Sequence, residues 1–109
     1  MRQEFPVLDE AVARTKVRLS GAIGVRSIGD ACQELRTAMA QGGPVDIDLA
    51  GVTDLDVTLI QLLESARRSA PPGGVRLTAP ASGLLLEKLQ RGGFLEGGAA
   101  KAFWLEAAP

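Results

Sequence analysis

From Val45 to Ser69 the chain reads VDIDLAGVTDLDVTLIQLLESARRS, and its hydrophobic period changes partway along. Val45, Ile47 and Leu49 alternate with Asp46 and Asp48, the pattern of a strand of about six residues with one buried face. Leu59, Leu62, Leu63, Ala66 and Ala70 then fall at helical spacing and form a single apolar stripe. Asp56 stands where that helix should begin. A carboxylate there accepts the orphan N–H groups of the first turn and lies at the positive end of the helix dipole. On such a helix Val57, Gln61, Glu64 and Arg68 share the outward face, opposite the leucines.

The same reading extends in both directions. Phe5 to Leu8 reads as a short edge strand, where Pro6 is tolerated. Val12 to Leu19 alternates, with Ala13, Thr15, Val17 and Leu19 on one side and Arg14, Lys16 and Arg18 on the other. Ordinary burial habits make that basic row a solvated sheet face rather than an anion-binding stripe. Gly21 and Gly24 break the strand. Ser27 with Asp30 has the form of a capping box, and a helix follows to about Gln41 with Ile28, Ala31, Cys32, Leu35 and Met39 inward. Gly42-Gly43-Pro44 stops it. After the central strand and helix, Pro71-Pro72-Gly73-Gly74 makes a turn and Val75 to Ala79 alternates again. Ala81 to Arg91 is a third helix with Leu85, Leu86 and Leu89 inward, ended by Gly92-Gly93. Phe103-Trp104-Leu105 reads as a last short strand completing the sheet.

Strands and helices in alternation imply right-handed parallel crossovers. The strands alternate rather than running continuously apolar, so helices should cover chiefly one face of the sheet and leave the other wet. The expected fold is α/β, a mostly parallel sheet of four to five strands with helices chiefly on one face, in a single domain spanning residues 1–109.

Composition removes several kinds of chemistry. The 109 residues hold no histidine and one cysteine, so softer metal ligands and nucleophilic triads are both missing. Cys32, on the inward stripe with no base to activate it, has a structural role. A net charge of −1 and few aromatic residues argue against nucleic-acid binding. No stretch has the length or apolarity of a signal peptide or a membrane span, and a lone cysteine suits a reducing compartment, so the expected location is cytoplasmic. Asp54 and Asp56 flank the carboxyl end of a parallel strand, where open α/β sheets tend to bind ligands. With no base or oxyanion donor set beside them, an enzyme or small-ligand protein built on these carboxylates is the weaker reading.

Asp48-Leu49-Ala50-Gly51-Val52, followed by Asp56-Val57-Thr58-Leu59-Ile60 at the helix start, resembles the signature of the STAS family, the sulphate transporter and anti-sigma-factor antagonist domains. In that family the first segment is typically Asp-Leu-Ser-Gly-Val and the second Asp-Ser-Ser-Gly-Leu. The resemblance spans roughly Val12 to Leu105, and its specific residues lie between Asp48 and Leu63. It implies a mixed sheet with helices packed chiefly on one side. It also implies a non-catalytic regulatory protein without a cofactor, which antagonises an anti-sigma factor or kinase-type partner by docking through the loop and helix around the aspartate. In switch members the residue directly after that aspartate is the phosphoacceptor, and here it is Val57. The partner surface carried over by resemblance and position comprises Asp54, Asp56, Val57, Thr58, Gln61, Glu64 and Arg68. Thr58, and Thr53 in the loop, are the hydroxyls left near the site. Small STAS proteins of this size also serve as cytoplasmic subunits of lipid-transport ATPases, which is the alternative role.

Overall fold

The computed structural model describes residues 14–106, so the Phe5–Leu8 strand expectation lies outside the described residues. In chain order the elements are β1 (Thr15–Ile23), α1 (Ile28–Met39), β2 (Val45–Leu55), α2 (Val57–Ser69), β3 (Val75–Leu77), α3 (Gly83–Gly92) and α4 (Gly98–Leu105). Among the described residues the sheet has three strands in the order β1-β2-β3, with both pairings parallel. The expected count of four to five is corrected. Phe103-Trp104-Leu105 closes a helix rather than forming a strand, because Ala100, Phe103 and Trp104 fall at i, i+3 and i+4 and bury one helical side.

Alternation places Val17, Leu19 and Ile23 of β1, Val45 and Ile47 of β2, and Val75 and Leu77 of β3 in one core with Leu35, Leu59, Leu63, Leu85 and Leu89 from the helices. Fully burying a side chain of this kind is worth about 1.5–3 kcal/mol. Ile28, Leu49 and Leu62, expected in the same core, are partly buried against it. The alternate positions carry the charges. In register, Lys16 stands opposite Asp46 and Arg18 opposite Asp48 on β1 and β2, and Asp46 stands opposite Arg76 on β3. Arg18 meets Asp48 at 3.2 Å, and Arg14 binds the Asp46 carboxylate while also donating to the Val45 and Gly73 carbonyls at 3.2 Å each. Arg14 and Arg18 are therefore answered by acids on the neighbouring strand, a charge ladder rather than an anion site.

Several element ends differ from the periodicity reading. β1 continues through Gly21 to Ile23, and β2 runs eleven residues instead of about six. Both extensions pair with each other across two register shifts. Gly51 sits at one shift, where a Cβ would come within 2.9 Å of Ser20 Cβ, so only glycine lets the bulged strands close. Ser27 does not cap α1 through its side chain; its hydroxyl donates to Ala22 O at 2.9 Å and accepts from Gly24 N at 3.1 Å, tying the turn to itself. β3 ends at Leu77, two residues short of the alternating run. Cys32 is half-buried at the margin of the core.

Candidate docking site

β2 becomes α2 through one residue, Asp56, which joins Leu55 to Val57. Its backbone is extended, at φ −127° and ψ −174°, while its side chain turns onto the helix. Oδ1 accepts the Thr58 amide at 2.9 Å and also the Thr58 hydroxyl. Oδ2 reaches sideways and accepts the Val25 amide, in the β1–α1 turn, at 3.2 Å. One carboxylate thus caps α2 and pins the neighbouring turn. Gly24 makes the approach possible, since a Cβ there would lie 2.7 Å from Asp56 Oδ2.

These bonds favour the charged carboxylate. The Thr58 hydroxyl and amide, then the Val25 amide and the Lys88 charge, hold Asp56 below the usual carboxylate range against a smaller opposing effect of burial. The Ala50 amide, with Arg18 and Lys16, does the same for Asp48. A depressed folded-state pKa means stability that is fully present above the unfolded aspartate value of about 3.9 and is lost as pH falls through the lower folded values. Acid titration of unfolding should show that loss below about pH 4, and Asp56→Asn should remove part of it. Gly24→Ala, by pushing the carboxylate off Val25, should raise the Asp56 pKa toward the ordinary value. An unmoved NMR titration of Asp56 in that variant would show that Gly24 is not what admits it.

The other expected site residues divide. Val57 is 47% exposed, on the first turn of α2. Gln61 and Arg68 are exposed further along the same helix. Thr58 is half-buried, with its hydroxyl committed to Asp56. Thr53 and Asp54 are exposed but belong to β2, not to a loop, and the Asp54 carboxylate accepts the Leu55 amide at 2.9 Å. Glu64 is the correction. It is 7% exposed rather than outward, because Trp104 Nε1 donates to its Oε2 at 2.6 Å and Arg67 to its Oε1 at 2.5 Å. That clasp belongs to the docking of α4 on α2. Arg67 also lies 6.0 Å from the centre of the Phe103 ring.

Sequence reasoning missed two exposed apolar neighbours, Val25 at 71% and Leu84 at 41%. Val25 borders Asp56 through its amide, and Leu84 is one helical turn before Lys88, whose charge Asp56 feels. With Val57 they bring exposed apolar side chains from three elements around the strand-to-helix junction. Only Val57 carried a signal in the sequence, since a β-turn valine and an extra leucine in a leucine-rich helix are each ordinary alone. No group of three or more His, Cys, Asp or Glu side chains able to hold a metal occurs among the described residues.

A one-sided parallel sheet whose central strand passes through a capping aspartate into a helix defines a small α/β module with its distinctive surface at the strand ends. Residues 7–94 match the family model described as Mlab, STAS domain, and the chain belongs to the STAS domain family. No curated protein and no solved structure matches it.

Proposed function

We propose that the chain is a non-catalytic binding module that docks on a protein partner through the junction of β2 and α2, and that phosphorylation at this junction does not gate the docking. The observation that carries the reading is Val57. At the position that resemblance assigns to the phosphoacceptor it presents an exposed apolar side chain, beside an aspartate whose two oxygens are already engaged within the fold. Thr58, the nearest hydroxyl, donates to that same carboxylate and points elsewhere on the helix, which advances about 100° per residue. An in-line phosphoryl transfer tolerates little misplacement. The surface formed by Asp54, Asp56, Val57, Thr58, Gln61 and Arg68 then serves recognition, and Glu64 is withdrawn from it.

The partner class that family resemblance supports first is an anti-sigma factor or serine-kinase-like regulator. A second reading, a subunit held on the ATPase of a lipid transporter, is favoured by the Mlab description of the matched family model and by Val57 itself, because a permanent subunit has no need of a phosphate-controlled release. A photo-crosslinking residue placed at Val57 in the native cell tests both. Crosslinks to a kinase-type regulator bear out the first reading, and crosslinks to an ATPase subunit the second. Yields no greater than from a crosslinker at the exposed Arg36, in the last turn of α1, would remove the docking surface altogether. Val57→Glu should weaken capture by burying an unpaired charge. Intact-mass analysis that finds a phosphate on Thr58, lost in Thr58→Ala together with a change in partner affinity, would overturn the ungated reading.

A further inference from the structure

β2 and β3 are badly matched in length. Their pairing stops at Ile47 and Leu77, where the Thr78 amide makes the last bond, 3.0 Å to Ile47 O. Beyond that the chain turns away through Pro80, which has no N–H for a ladder, and leads into α3. β2 continues for eight more residues, paired on its β1 side only among the described residues. A long unpaired edge of this kind is a template for another strand.

Beside that edge lies a groove of about 370 Å³, between β2 from Ile47 to Leu55 and the segment from Leu77 to Leu85. Leu49, Leu55, Leu77 and Leu85 give it an apolar floor, and the exposed Leu84 stands at its rim. Its charged lining residues are Asp48 and Asp54 alone. Arg18 already pairs with Asp48 from the β1 side, whereas Asp54 has no ion pair among the described residues. The two carboxylates fold back on their own strand, Asp48 accepting the Ala50 amide and Asp54 the Leu55 amide, each at 2.9 Å. Val57 and Asp56 do not line the groove, which adjoins the docking surface above and shares Asp54 and Leu84 with it.

We propose that this groove accepts an extended segment of a protein partner, added as a strand along Leu49–Leu55, with apolar side chains on the leucine floor and a lysine or arginine facing Asp54. Strand addition draws affinity from main-chain hydrogen bonds and specificity from alternate side-chain positions. The single uncompensated acid sets the sign of the charge that the segment must bring.

The test uses the full chain and a short synthetic peptide alternating valine and lysine. Amide hydrogen exchange is read residue by residue. The peptide should slow exchange along Leu49–Asp54 in a saturable way. An N-methylated version, stripped of alternate donors, should bind about tenfold more weakly, the loss expected when a ladder bond or two is removed. Asp54→Lys, an exposed position where circular dichroism can verify folding, should transfer the preference to a valine–glutamate peptide. Equal binding of the acidic peptide by the unaltered protein would overturn the proposal. So would the absence of protection along β2, or protection already present without peptide and lost on removing residues 1–13, which would mean that the chain fills its own groove.

Discussion

Trp104→Ala is expected to cost about 3–5 kcal/mol, the range for removing a large aromatic from a packed core. Trp104 is fully buried, stacks edge-on to Phe103 with ring centres 4.8 Å apart, and hydrogen-bonds Glu64 across forty positions of sequence. Its backbone carbonyl also accepts the Ala81 amide at 2.7 Å, so the residue ties α4 to the start of α3 as well as to α2. Truncation would leave a cavity and a buried carboxylate short of one donor. Trp104→Phe separates the two effects: it keeps most of the packing and removes only the indole N–H, and should cost about 1–3 kcal/mol. Because this is the single tryptophan, urea unfolding should be followed by circular dichroism. A midpoint that does not move in Trp104→Ala would show that α4 is not docked.

Leu63→Ala is the second large effect, expected at about 2–5 kcal/mol. Leu63 has no measurable exposure and lies at the centre of the core beneath the sheet, whereas Leu62 beside it is only partly buried. The pair reads the rotational phase of α2 directly. Leu62→Ala should cost clearly less than Leu63→Ala under the same denaturant, and the reverse order would rotate the helix and expose the wrong face to the sheet.

That phase also explains what the sequence could and could not disclose about the site. Alternation located β1, β2 and β3, and Asp56 announced α2 to the residue, because capping chemistry is local. Glu64 differs from its expected place because helical phase sets it with Val57, Gln61 and Arg68, opposite the leucine stripe. Yet Ile60, Leu63 and Glu64 sit at i, i+3 and i+4, and the helix buries all three. Arg67, one of the partners of Glu64, lies in α2 itself, but Trp104, which covers it, lies in another helix, and nothing within α2 announces that contact. Period-two counting lost β2 at Ala50-Gly51, since a bulge shifts the phase of every later side chain while the backbone goes on pairing. Phe103-Trp104-Leu105 was too short to discriminate, and the signal lay upstream, in Ala99, Ala100 and Ala102, whose helix propensity exceeds that of any strand former. The exposed apolar positions were least legible of all, because the Val25 turn and the Val57 helix start are joined through Asp56 only once the elements are assembled.

The Asp56 carboxylate, bonded to α2 on one side and to the β1–α1 turn on the other, adds a side-chain tie between two segments whose strands already pair as far as Ile23 and Leu55. Val25 and Val57 are therefore held ready in one body before any partner arrives. Valine itself has a single stiff side-chain torsion to immobilise. Association ordinarily spends about 0.5–1.5 kcal/mol on each flexible side chain it orders, and more on any loop it must fix. Here that entropy is lost during folding instead, so a partner docking as proposed would be spared the cost of ordering these side chains.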